Sequence, residues 1–239
     1  MPMSSLRKTA LVAGVLYLVT FLSSIPAFFL LTPVLDDPSY IVSAGADTQV
    51  TAGAFLDLVN ALACIGTAVA LFSLLKLEHE GLALGFVATR LFEAAVIVIG
   101  VVCVLSVVSL RQPGATGAEA TSLTVVGNAL VAIRDWTFLI GPGIMPGLNA
   151  ILFGTLLYRS RLVPRWIPAV GLIGAPLLIS AALGRMFGIN DVTSAWSAIG
   201  TAPIFVWELS VALWMTIRGF DESTPLAAAY ASETQRHAL

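Results

Sequence analysis

Charge is what this sequence has least of. Asp, Glu, Lys and Arg make up only 11% of its 239 residues, against about 25% in soluble domains, while 58% are apolar. So thin a polar shell cannot cover so much apolar side chain in water, and the bilayer is the expected solvent. Net charge is −2, with no basic stripe, so nucleic-acid binding has no electrostatic support. Histidine is scarce too: His79 falls in a short polar loop and His237 near the C-terminus. Neither lies in an apolar run, which disfavours haem ligation by histidine and an intramembrane zinc site built on several histidines. The two cysteines, Cys64 and Cys103, lie within apolar runs and read as buried small hydrophobes rather than a disulfide framework. Lys76, the candidate Schiff-base lysine, sits at an interface, which disfavours a retinal photoreceptor. No Ser–His or Cys–His arrangement and no metal constellation is visible, so no cofactor is expected.

What is present is length. Arg7 and Lys8 precede an apolar run from about Thr9 to Leu31. That run exceeds the roughly 7–15-residue core of a secretory signal and reaches the about 20 residues that a span needs, so it is expected to be a retained first span. Further runs cover about Ala52 to Leu75, Leu82 to Leu110, Ile167 to Phe187 and Ala195 to Ile217. Between them, Leu123 to Tyr158 is interrupted by Arg134 and Asp135 and then by GPGIMPG at 141–147. Splitting it into two spans would throw the RSRLVPR cluster onto the outer side, against the positive-inside rule. It is therefore expected to hold one span, about Trp136 to Leu157, broken near its start where Pro142 and Pro146 remove backbone donors. An amphipathic or re-entrant helix over 119–135 is expected before it, on the outer side.

The expected fold class is all-α: a polytopic transmembrane helix bundle of six spans with cytoplasmic N- and C-termini. Residues 1–220 form its single domain and 221–239 a polar, flexible cytoplasmic tail. In that topology Arg7, Lys8, Lys76, Arg159, Arg161, Arg165, Arg218 and Arg236 fall inside, while Arg111, Arg134 and Arg185 fall at outer loops or outer ends.

A few residues resist lipid. A charge at mid-bilayer costs at least about 2.5–3.5 kcal/mol on insertion scales, so each is expected to face the bundle interior. Glu93 and Glu208 fall near mid-depth, with Arg90 one turn from Glu93 on the same helix face. Asn149 falls at a similar level, and Asp57 and Asn60 share a face of the second span. These six are the candidate polar cavity. Arg134, Asp135 and Trp136 are expected at the outer rim, as a snorkelling ion pair beside an aromatic-belt residue. Arg90 is expected to pair with Glu93 or Glu208, and Arg134 with Asp57 or Asp135. Four carboxyls against two arginines leave two over, either protonated or facing water or a cationic ligand. The alternative for the whole set is a register lock that fixes helix packing and nothing more, and GLIGAP at 171–176 is expected to serve close helix packing.

The ordered set TRLFEA, RDWTFLIGPG, YRSRLVPRWI, GLIGAP and VWEL resembles a bacterial family of integral membrane proteins catalogued only as a domain of unknown function. The resemblance runs from about Arg7 to Phe220 and implies a multi-span helical protein of the bacterial cytoplasmic membrane, without implying an activity. Three functions are open: binding, sensing or transport of a small or lipid-like ligand in a polar intramembrane cavity; an intramembrane enzyme using paired carboxyls; or an accessory subunit of a membrane complex. The first is preferred, with membrane lipids as neighbours and homo-oligomerisation expected if the protein transports.

Overall fold

A computed structural model describes residues 3–236, and His237 lies outside the described residues. Within them the regular structure is helical: α1 (Ser5–Leu30), α2 (Thr32–Asp36), α3 (Asp47–Leu110), α4 (Gly117–Ile140), α5 (Met145–Ser160), α6 (Trp166–Met186), α7 (Ala195–Ile217) and α8 (Pro225–Arg236). Five helical stretches are long and apolar enough to cross a membrane: α1, α3, α4 with α5, α6 and α7. The chain is an all-helical integral membrane protein. Side-chain caps start two of these helices, with Ser4 accepting from the Arg7 amide and Ser194 from the Ser197 amide.

α3 has 64 residues, which would extend about 96 Å if straight, some three times the bilayer core. It is a hairpin instead. His79 leaves helical geometry (φ −163°, ψ 107°), and its Nδ1 accepts from the Leu82 amide at 3.2 Å. It thus acts as an N-cap for the second arm, with Glu80 in that arm's first turn complementing the helix dipole. Arms 47–78 and 80–110 fold back on each other, so Arg90 lies 3.6 Å from Cys64 across 26 residues of chain; a straight helix would hold them about 39 Å apart.

α4 corrects the expected boundary at Trp136. The helix runs unbroken from Gly117 through Asp135 to Ile140, and the interruption lies at 141–144, within the crossing. The reason is length. α5 has 16 residues, about 24 Å, which falls short of a core of about 30 Å, so the end of α4 completes the passage. At the break Gly143 N–H reaches back to the Phe138 carbonyl (2.9 Å) and Met145 N–H to that of Gly141 (2.9 Å), which satisfies groups that lipid would leave bare.

One end of the bundle gathers the start of α1, the turn at His79, the 161–165 loop and α8. Arg7 donates to the carbonyls of Met215 (2.9 Å) and Thr216 (2.7 Å). Lys76 pairs with Glu233 (2.9 Å), Arg159 with Glu78 (3.4 Å), and the Asp221 amide bonds Leu162 O (2.9 Å). Residues 225–236 of the polar tail form α8, docked on α1 and α3 with Leu226 and Ala227 buried. At the other end Arg111 ties the loop before α3, donating to Asp47 (2.6 Å) and to the Ser43 carbonyl (2.6 Å). Tyr40 donates to Asp47 as well (2.8 Å). Burial, then this bond, pushes the Tyr40 phenol up to about 12, so it stays a donor.

Small residues let α6 and α7 approach closely. In GLIGAP, Gly171 lies under the Trp207 ring and Gly174 against Pro203 and the Ile204 amide. A methyl at Gly171 would fall 2.6 Å from Trp207 Cδ2, whereas one at Gly66 would meet only the tip of Leu16 at 3.0 Å. Gly171→Ala is therefore expected to destabilise by about 1–3 kcal/mol through overpacking, and Gly66→Ala by less than half as much, read as shifts in thermal unfolding of the purified protein.

Candidate functional site

The site follows from where the hairpin, α5 and α7 bring their polar residues. Arg90 and Glu93 are one turn apart on the second arm of α3, and Arg90 Nη1 donates to Glu93 Oε2 at 3.0 Å. Both are buried, at 2% and 4% exposure. Asn149 reaches in from α5, its Nδ2 donating to the same Oε2 at 2.9 Å. The Thr89 hydroxyl bonds Asn149 Oδ1 at 2.5 Å. An amide between a hydroxyl donor and a carboxylate satisfies both only with oxygen toward the hydroxyl, so the two bonds fix its orientation. Glu208 of α7 completes the group, with Oε1 3.7 Å from Arg90 Nη2, too long for a hydrogen bond.

Arg90 is the hub, and it is under-satisfied. Its Nε and Nη2 are buried without a hydrogen-bond partner. Two aromatic rings compensate: the guanidinium lies 4.6 Å from the Tyr17 ring centre and 5.8 Å from that of Phe86. Those rings belong to a larger stack, with Tyr17–Phe153 at 6.1 Å, Phe86–Phe153 at 4.9 Å and Phe153–Trp207 at 5.9 Å. Tyr17 and Thr89 were not singled out by sequence reasoning. The available signal was weak: Tyr17 shares a helix face with Ala10, Ala13 and Gly14, and Thr89 adjoins Arg90.

A second ion pair lies nearer the end of the bundle opposite α8. Arg134 Nη2 donates to Asp57 Oδ2 at 3.2 Å, and its guanidinium stacks 4.8 Å from the Phe138 ring centre. The expected rim pair of Arg134 with Asp135 is not formed. Arg134 is buried (7% exposed), while Asp135 faces outward and Trp136 is half exposed. Adjacent helix positions point about 100° apart, so an Arg134 turned toward Asp57 carries Asp135 away. Asp57 is ten residues from the start of α3, about 15 Å along the helix from that end, and Arg134 is buried beside it between helices.

Two clefts reach these pairs. One, of about 230 Å³, leads past Phe21 and Phe205 to Arg90, Glu93 and Glu208. The other, of about 330 Å³, leads past Phe28 and Phe138 to Asp57 and Arg134. Ser24, Ile25, Asn60 and Pro142 line both, so the clefts adjoin, with Asn60 at the shared wall. Ile25, Phe28 and Phe205, which line the clefts, are 45%, 51% and 43% exposed, so the clefts open on the exposed flank of the bundle. Four of the six cavity candidates, Arg90, Glu93, Asn149 and Glu208, therefore form one group; Asp57 stands apart with Arg134, a rim candidate, and Asn60 lies between them.

The carboxyl balance is now specific. Asp57 is matched by Arg134, Glu93 is held by Arg90 and Asn149, and Asp135 faces out. Glu208 accepts no hydrogen bond among the described residues, and it lies on the cleft. Removing Arg90 strands Glu93 inside the bundle, whereas glutamine at 93 stays neutral and hydrogen-bonds. Arg90→Ala is expected to destabilise by about 3–5 kcal/mol and Glu93→Gln by less than half of that. Arg134→Ala is expected to lower stability as well, and Asp135→Asn to leave it unchanged. Unfolding curves of the four variants in one lipid environment check this order.

Residues 12–219 match the family described as Domain of unknown function (DUF4386), and the chain belongs to that family. No curated protein and no solved structure matches the chain at a significant level.

Proposed function

We propose that this member of the DUF4386 family binds a small or lipid-like ligand that enters sideways from the bilayer, for sensing or transport, and that Glu208 is its polar anchor. One observation carries the reading: Glu208 meets only Arg90, at 3.7 Å, accepts no hydrogen bond among the described residues, and lies on a cleft that opens on the exposed flank of the bundle. A register lock needs no such cleft. A carboxyl in a membrane with one long ion pair and no hydrogen bond calls for a proton, water or a ligand that supplies positive charge or a hydrogen-bond donor. The aromatic edges of the cleft suit an apolar body attached to such a group.

In this reading the protein sits in the bacterial cytoplasmic membrane with six spans, the α3 hairpin supplying two of them. Its termini are cytoplasmic, because the end that gathers α8 also holds Arg7, Lys8, Lys76, Arg159, Arg161, Arg165 and Arg218. The enzyme reading has less support. Glu93 and Glu208 share the cleft, but Glu93 Oε2 is occupied twice, so one carboxyl is free for general acid–base work.

Three probes of equal chain length test the binding reading in neutral-lipid nanodiscs: decyltrimethylammonium, decyl sulfate and decanol. The ammonium is expected to raise the melting temperature of the parent and to lose that effect in Glu208→Gln. No response to any probe, or equal responses in both proteins, would contradict a site at Glu208. For topology, an impermeant maleimide added to intact cells is expected to label Asp37→Cys and not Glu80→Cys. The native Cys64 and Cys103 are buried and should stay unreacted.

A further inference from the structure

A separate pocket of about 440 Å³ lies at the α8 end of the bundle, between the 161–165 loop and the end of α7. Its charged lining is Arg161, Arg165, Arg218 and Asp221, with Trp214 beside them. Three arginines against one aspartate leave a local charge of +2. Arg161 and Arg218 make no salt bridge or side-chain hydrogen bond among the described residues. Arg165 spends one long bond on the Tyr158 carbonyl (3.4 Å) and lies 5.0 Å from the Tyr158 ring centre. Asp221 is engaged elsewhere: the Ser223 amide and hydroxyl both donate to it (2.9 and 2.7 Å), which holds its carboxyl below the usual range.

The backbone at this pocket is also unusual. Arg161 caps α5 in the left-handed region (φ 60°, ψ 21°) and is the one non-glycine residue with positive φ among those described. Glycine is the ordinary occupant of this capping position, because an L side chain is disfavoured there. The chain thus keeps an arginine where glycine would relax the backbone, and that arginine lines the pocket. Strain retained at a pocket wall motivates a functional reading.

We propose that this pocket binds the headgroup phosphate of an anionic phospholipid of the inner leaflet. The chemistry fits in three ways. Arginine presents paired N–H donors that match phosphate oxygens. The loop and the end of α7 stand where headgroups lie, next to a half-exposed Trp166, and tryptophan marks that level. Basic pockets between transmembrane helices on the cytoplasmic side are suited to acidic headgroups. Negative charge in the site relieves the mutual repulsion of three arginines and links α5, α6 and α7 at their inner ends.

The test compares melting temperatures of the full chain in phosphatidylcholine nanodiscs and in nanodiscs containing phosphatidylglycerol. The parent is expected to gain about 3–6 °C from the anionic lipid. Arg161→Gly is expected to melt no lower than the parent in phosphatidylcholine, since it relaxes the cap, and to lose at least half of the gain. Arg218→Gln should lose a similar share, and Arg236→Gln, a basic residue of the same end outside the pocket, should retain it. An equal gain in Arg161→Gly and the parent, or an equal loss in Arg236→Gln, would overturn the proposal in favour of diffuse surface charge. The same gain from millimolar inorganic phosphate in phosphatidylcholine nanodiscs would overturn the lipid source.

Discussion

The structure depends on how one guanidinium is kept inside a membrane. Arg90 is almost fully buried, yet it makes one good hydrogen bond to a carboxylate and leaves Nε and Nη2 without any. A lone charge there would be prohibitive, so neighbours from four helices converge on it. α1 supplies the Tyr17 ring, the first arm of α3 the Cys64 sulfur, α5 the amide that holds Glu93, and α7 Glu208. The hairpin at His79 is required by the same contact, since Cys64 and Arg90 meet only if the arms are antiparallel. The aromatic stack of Tyr17, Phe86, Phe153 and Trp207 packs beside Arg90 on the α8 side of the bundle.

The half of the bundle away from α8 follows the same rule with different parts. Arg134 and Asp57 neutralise each other across α4 and α3. The break at 141–144 lets α4 deliver Arg134 to that level and hand the crossing on to α5. Pro142 at that break lines both clefts, so the irregular backbone borders the space in which a ligand would sit. Such interruptions are tolerated in membranes where they line a cavity or are covered by protein.

Much of this was legible in the sequence. Long apolar runs match α1, the two arms of α3, α6 and α7 to within about five residues, and counting turns puts Glu93, Asn149 and Glu208 near one level with Arg90 one turn away. The outer region was less legible for a physical reason. Arg134 and Asp135 are adjacent, and a sequence shows that two charges are neighbours without showing which way a helix is turned. Reading 119–135 as a separate interfacial helix placed both at a rim, whereas a continuous α4 buries one and exposes the other. Tyr17 escaped notice because a tyrosine in an apolar run looks like any core aromatic until a cation lies over its ring. In the sequence, the pocket at the α8 end is visible only as a basic cluster. Its concavity and the left-handed backbone of Arg161 arise only in the folded chain.

The two sites divide the bundle's polar residues by purpose. In the proposed reading, pairs that cancel, such as Arg134–Asp57, hold helices together, while Glu208 in the cleft and the arginines at the α8 end are available to partners. The claim that underlies this division is that Arg90 and Glu93 act as one buried unit. A double-mutant cycle with Arg90→Met and Glu93→Gln, read by reversible unfolding in one lipid environment, measures it most directly. The account predicts a coupling energy of about 1.5 kcal/mol or more. Additive effects would contradict it.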